Sequence, residues 1–219
     1  MKHWHAVAVT DHPEELVSQY AVPNLRVVIL VEGVSDRLAL ETLASRRRIA
    51  LPAHGISVVS MDGAGNIGRY LERFGPHGSG LTISGLYDAA EEADVRRALE
   101  RAGFGSARTR ADTNRLGFHA CDADLEDELI RALGADAVME MIKARGELGS
   151  FRTLQKQPEW RGRPVEQQLR RFLGNASRKI ECAPLLIQAL DLSRVPRPLD
   201  AVLAHSLAVI GAGLTPLKP

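Results

Sequence analysis

The 219-residue sequence predicts an α/β fold, a small parallel sheet with helices on both faces, followed by a part that is helical almost throughout. Three observations lead there. Val27 to Val31 is an unbroken, β-branched apolar run, the pattern of a parallel strand buried on both faces. Strand and helix patterns then alternate as far as Cys121. From Leu125 onward the periodicity is helical.

The elements follow in order. A helical or irregular leader covers about 11–20, and Val27–Val31 is the first strand. It stops at an acid, Glu32; Gly33 allows a tight turn, and Ser35 is placed to cap a helix over Asp36–Arg48 with Leu38, Leu40 and Leu43 inward. Ile56–Met61 reads as a strand and Ile67–Phe74 as a helix. Leu81–Tyr87 is a third strand ending at Asp88, and Glu91–Ala102 a helix closed by Gly103. Gly105–Asn114 reads as a loop and Phe118–Cys121 as a short fourth strand. Helices are expected at 125–133, 135–145, 164–173, 179–190 and 198–210, punctuated by Gly146, Gly149, Pro158 and Gly174. This divides the chain into an α/β part over 22–122 and a helical part over 123–219.

Composition narrows the function classes. A 45% hydrophobic, 25% charged chain is ordinary for a soluble globular protein, and a net charge of +1 means that any nucleic-acid surface is local. No apolar stretch approaches the roughly 20 residues of a membrane span, and Met1-Lys2-His3-Trp4-His5 lacks the apolar core of a signal peptide. Cys121 and Cys182 stand apart from any metal or redox spacing and read as small buried apolar residues. A reduced cytoplasm is the expected compartment. His3 and His5 alternate on an extended stretch, a weak metal signal.

The chemistry gathers at strand ends. Glu32 closes the first strand with Asp36 four residues later, Asp88 closes the third, and Asp122-Ala123-Asp124-Leu125-Glu126-Asp127 follows the fourth. Parallel strands put these acids at one rim of the sheet, where open α/β folds bind ligands. Carboxylates crowded there repel one another unless a cation neutralises them, and an all-oxygen set suits a hard divalent ion. The bland alternatives are that Asp36 complements a helix dipole, that Glu32 is solvated, and that Asp124 and Asp127 form a helix cap.

With those residues in view, the sequence resembles a Toprim domain, the topoisomerase–primase fold, which is Rossmann-like in architecture. Val31-Glu32-Gly33-Val34-Ser35-Asp36 matches its first signature, and Leu86-Tyr87-Asp88 lies where its Asp-x-Asp signature ends the third strand. Within that fold the resemblance is to the nuclease half of overcoming-lysogenization-defect (OLD) family endonucleases, with Asp124-Leu125-Glu126 and the Lys179 of Arg178-Lys179-Ile180 matching two later motifs. It spans roughly 26–192. The resemblance implies metal-dependent hydrolysis of nucleic acid, with DNA the expected substrate and Mg2+ or Mn2+ the cofactor. It implies Glu32, Asp36, Asp88 and Glu126 as ligands, Glu32 also as general base, and Lys179 as the cation facing the scissile phosphate. Asp124 and Glu91 are secondary ligands.

Two departures matter. The second acid of Asp-x-Asp is Ala90 here, so Glu91 or Glu92 is the available substitute. If neither serves, a degenerate module that binds nucleic acid or a nucleotide without cutting is the alternative. No Gly-x-x-x-x-Gly-Lys-Ser/Thr loop occurs, so the sequence reads as a free-standing nuclease half, and ATP-driven action would require a separate ATPase chain.

Gly63-Ala64-Gly65-Asn66-Ile67-Gly68 also fits the dinucleotide fingerprint, with Asp88 twenty residues on as ribose binder. That reading leaves the 122–127 cluster and Lys179 unexplained, and the glycines are better read as a turn whose amides approach a phosphate. Between Phe151 and Lys179 basic residues dominate. Arg161, Arg163, Arg170 and Arg171 are the expected phosphate-tracking set. Phe151 and Trp160 either stack on bases or fill the core, and core filling is the expectation.

Overall fold

A computed structural model of the chain describes residues 24–212. The leader expected at 11–20 and the His3/His5 pair lie outside the described residues. Four strands, β1 (Val27–Val31), β2 (Ile56–Ser60), β3 (Thr82–Asp88) and β4 (Phe118–Cys121), form one parallel sheet in the order β2-β1-β3-β4. Every residue of β1 is buried, because β1 is central and covered on both faces. Its register places Val27 beside Ile56 and Thr82, while Asp88 of β3 pairs with Cys121 of β4. Gly85 is required by this packing: a Cβ there would lie 2.7 Å from the Phe118 ring on the neighbouring strand.

After β1 the chain forms α1 (Val34–Arg46), and α2 (Ile67–Phe74) and α3 (Glu92–Arg101) follow β2 and β3. The face bearing Val28 and Leu30 packs on Leu71 and Phe74 of α2 and on Val95 and Leu99 of α3. Val27, Ile29 and Val31, on the opposite face, pack on Leu40 and Leu43 of α1. The predicted layering with helices on both sides is therefore present. Among the described residues no helix is long and apolar enough to cross a membrane. Both cysteines are free and buried.

The later helices are α5 (Leu125–Leu133), α6 (Ala135–Ala144), α7 (Leu148–Lys156), α8 (Val165–Leu173), α9 (Ala176–Ala189) and α10 (Arg197–Ala212), with α4 (Arg110–Arg115) preceding β4. They share the core of Val27, Ile29 and Val31, through Leu129, Leu169, Leu186, Leu203 and their neighbours. α9 lies along α1, and Arg46 at the end of α1 donates to the Ile187 carbonyl at 2.6 Å and to that of Leu190. Ser206 of α10 reaches Ser84 in the sheet at 2.8 Å, and both hydroxyls are fully buried.

Several expectations are corrected. α1 begins at Val34 with Gly33 as its N-cap, so Ser35 is not the cap; the Asp36 carboxylate accepts the Gly33 N–H at 2.8 Å. Leu38 is only half-buried, and Ala39, Leu40, Leu43 and Ala44 form the inward face. The expected loop at 105–114 contains the start of α4, capped by Thr109, whose hydroxyl accepts the Asp112 N–H at 3.2 Å. α7 occupies a stretch read as punctuation. α9 starts at Ala176 rather than at 179, so Lys179 lies within its first turn instead of opening it.

Candidate active site

The strand order changes direction between β1 and β3, since β1 is followed on one side by β2 and on the other by β3. Such a switch point opens a crevice at the carboxyl ends of the two strands. Glu32 follows β1 and Asp88 ends β3, so both stand at that crevice. Asp36 enters from the first turn of α1, Asp124 and Glu126 from the start of α5, and Lys179 from the first turn of α9. The site is thus built from four separate chain segments.

Electrostatics shows how closely these groups crowd. Burial pushes the Asp88 carboxyl up to about 7, and the charges of Glu32, Asp124 and Asp36 add to it while Lys179 opposes. Burial likewise raises Asp36 to about 6, reinforced by Glu126 and Glu32 and opposed by the Gly33 N–H and Lys179. Glu126 is 4% exposed, and burial raises its pKa against the pull of Lys179. Burial disfavours the Lys179 ammonium, yet Glu126, Asp124 and Asp36 hold its pKa above the ordinary lysine value. Each of these shifts has the sign expected for a cluster with more anions than cations.

Protein donors hold several of these carboxylates. Asp36 takes the Gly33 N–H. Asp124 is the N-cap of α5, accepting the Asp127 N–H at 2.8 Å, and its other oxygen takes Arg170 Nε at 2.8 Å. Lys179 Nζ stands 2.9 Å from Glu126 Oε2, an ion pair too bent to be a regular hydrogen bond, so that buried oxygen lacks a well-aligned donor. Among the described residues no three His, Cys, Asp or Glu side chains are already gathered closely enough to hold an ion. The residues nevertheless fit a hard divalent cation: the donors are all carboxylate oxygens, they repel one another, and a buried Glu126 oxygen is poorly satisfied.

The remaining predicted residues divide. Glu91 sits in the short 3-10 turn Ala89–Glu91 after β3, half-buried. Its neighbour Glu92 is held by Arg110 at 2.7 Å, which leaves Glu91 as the available substitute for the acid missing at Ala90. Glu32 is exposed. Arg161, Arg163 and Arg171 are exposed, whereas Arg170 is drawn to Asp124. Arg178 is committed to structure, pairing with Glu147 at 2.6 Å and stacking 4.1 Å from the Phe172 ring centroid. Phe151 is 1% exposed and packs edge-on against Phe172, so it is unavailable to bases. Two contacts are not foreshadowed by sequence spacing: Arg170 partners Asp124, 46 residues away, and buried Glu128 accepts the Asp122 N–H at 2.9 Å while pairing with Arg131. Nothing local in the sequence marks either contact.

The glycine turn at 63–68 follows β2, an edge strand, and β1 separates it from Asp88 at the end of β3. The dinucleotide fingerprint belongs at a switch point with its acid on the adjacent strand, so the topology does not support that reading.

The sheet is open and parallel, with acids at the carboxyl ends of its two middle strands. Residues 25–88 match the family model described as overcoming lysogenization defect protein-like, TOPRIM domain. The C-terminal region of the Xanthomonas campestris pv. campestris OLD protein superposes with a TM-score of 0.65 at 23% identity, covering 86% of this chain and 98% of that one. The C-terminal region of the Burkholderia pseudomallei OLD protein gives 0.62 at 21% identity, covering 85% and 98%. No curated protein matches. Residues 25–88 thus match an OLD-like Toprim domain, and the fold resembles that of the C-terminal regions of OLD proteins.

Proposed function

We propose that this protein is a metal-dependent nuclease that hydrolyses phosphodiester bonds in nucleic acid, with DNA as substrate. The observation that carries the reading is the meeting of Glu32, Asp36, Asp88, Glu126 and Lys179 at the switch point of an OLD-like Toprim sheet.

Glu32, Asp36, Asp88 and Glu126 are the residues that would hold Mg2+ or Mn2+, with Asp124 and Glu91 behind them. When bound, such an ion supplies Lewis-acid stabilisation of charge on the phosphate and lowers the pKa of water. The protein's own groups do the rest. Glu32, exposed at the rim, is placed to take a proton from the attacking water. Lys179, anchored by Glu126, presents a compact positive charge to the developing negative phosphate. Arg163 and Arg171, exposed beside this crevice, draw in the backbone by charge.

The test is nicking of supercoiled plasmid by purified protein with manganese, magnesium or chelator. Manganese-dependent nicking that Asp88→Ala abolishes supports the proposal; an inert wild type in both metals overturns it. A second reading, a non-cutting binder, draws on Ala90, which removes one acid of the Toprim pair. Under that reading the protein retains oligonucleotide and shows no metal-dependent nicking. Restored cutting on adding an ATPase chain would instead identify a subunit of a two-component system.

A further inference from the structure

A cavity of about 480 Å3 is lined by Asp124 and Lys179 together with Trp160, Arg163 and Arg171. That volume is within the range of small-ligand clefts, roughly 300–1,000 Å3. Trp160 was expected to fill the core, but only its fellow aromatic Phe151 does so. The indole is half-buried and lines the cavity, and the Arg163 guanidinium lies over its ring, 5.1 Å from the centroid.

The turn that carries this pair is held from beneath. Gln168, 6% exposed on the otherwise apolar inner face of α8, donates to the Trp160 carbonyl at 2.8 Å and accepts from Gln155 Nε2 at 2.7 Å. A buried amide costs stability unless its hydrogen bonds are made, and here they fix the backbone of Trp160. Arg163 is oriented as well, its Nε donating to the Glu159 carbonyl at 2.6 Å. Neither Arg163 nor Arg171 is in an ion pair among the described residues, unlike Arg170 and Lys179, which line the same cavity. The cavity therefore brings a flat, cationic stacking surface together with residues of the proposed cleavage site.

We infer that Trp160 and Arg163 form a base-stacking subsite next to the scissile phosphate, and that the favoured substrate is nucleic acid with an unpaired or extruded nucleotide there. Every base has a face that stacks on indole or guanidinium, but in a duplex neighbouring base pairs cover those faces. Arg171 meets the adjoining phosphate without reading sequence. This inference deepens the nuclease reading and rests on it for the meaning of the adjacent site.

Binding is measured in chelator, without cleavage, on protein carrying Trp4→Phe so that Trp160 is the sole tryptophan. A ten-nucleotide oligothymidylate is compared with a blunt duplex of equal length. The single strand should quench Trp160 emission. Trp160→Ala should weaken single-strand binding by about tenfold or more, Trp160→Phe should recover most of it, and duplex binding should change less than twofold. Equal losses for both ligands, or an unaffected single strand, overturn the subsite. If the alanine variant does not fold, quenching in the Trp4→Phe protein and weakened single-strand binding by Arg163→Gln decide the matter in its place. Manganese-induced stabilisation, which reads the carboxylates, should survive in Trp160→Phe. Quenching without any metal response or nicking would leave the subsite standing and remove the nuclease reading.

Discussion

Two strand-to-helix turns in this protein look alike in sequence and differ in consequence. After β1 comes Glu32-Gly33, after β2 comes Asp62-Gly63, and each leads into a helix. The first lies at the switch point, between the two strands whose ends carry the acids. The second lies on the outer strand. Asp62 adopts a left-handed backbone, with φ of 54°, and its carboxylate accepts the Ser60 hydroxyl at 3.2 Å. Gly63 has φ of 119° and ties back through its N–H to the Glu32 carbonyl at 3.0 Å. Gly33 has ordinary extended φ of −136°, and Glu32 is exposed. The turn with the more demanding backbone supports its neighbour, and the turn with the easier backbone carries the proposed site. Topology distinguishes them, not composition.

The largest expected effect is on cleavage. Asp88→Ala or Glu32→Ala should reduce the rate by about 100-fold or more, about 2.7 kcal/mol of barrier, while Asp62→Ala should stay within about twofold, all read by plasmid nicking in manganese. Similar losses at both turns would erase the distinction. Lys179→Met should cost at least about tenfold, near 1.4 kcal/mol. It should also lower the melting temperature, because Glu126 loses its cation while remaining buried; Lys179→Arg should restore stability more fully than rate. A Lys179→Met protein that cuts at the wild-type rate would remove this residue from catalysis.

Proton linkage gives the next effect. Asp88 and Asp36, held at about 7 and about 6, keep protons in the folded state that unfolded carboxylates have released. These two groups bind more protons in the folded state across this interval, so their contribution to stability without metal should fall as pH rises from about 4 to about 7, opposed by half-buried His119, whose pKa is lowered to about 4. Manganese, which competes with those protons, should give its largest rise in melting temperature above about pH 7. Melting curves with chelator and with manganese across that range check both signs. Asp88→Asn should remove its share of the fall, so a metal-free melting temperature whose pH dependence is the same in wild type and Asp88→Asn would contradict the crowding described here.

The glycines give the last comparison, and Gly33 the smallest effect. Gly63→Ala should destabilise by about 1–3 kcal/mol, since that backbone region is almost confined to glycine. Gly33→Ala should cost less than about 1 kcal/mol, because its φ is ordinary and a Cβ would meet Asp36 Oδ2 at an unstrained 3.7 Å. Urea titration of the two variants separates them.

Much of this architecture was legible in advance. β1 and β4 match their expected ranges, and β2 and β3 come within a residue, because strands buried on both faces leave continuous apolar runs bounded by Gly or an acid. α4 and α7 were missed for a common reason: each has a single fully buried residue, Thr113 and Phe151, and so no apolar period to detect. The placement of Glu32 and Asp88 could be read because parallel strands align their ends. The pairing of Asp124 with Arg170, and of Glu126 with Lys179, could not, since it depends on how helices distant in sequence dock.

The continuous core beneath β1 has a consequence for how the molecule comes apart. Val27, Ile29 and Val31 share that core with α1, α5, α9 and α10, and Arg46 clasps the end of α9. The acids delivered by the sheet and the lysine delivered by α9 therefore hold their spacing through one apolar interior. Calorimetry should record a single cooperative transition with matching calorimetric and van't Hoff enthalpies, rather than a helical half that melts away from a persisting sheet. Heating would then dismantle the acid rim and its lysine together, leaving no partly folded species with the carboxylates assembled and the cation gone.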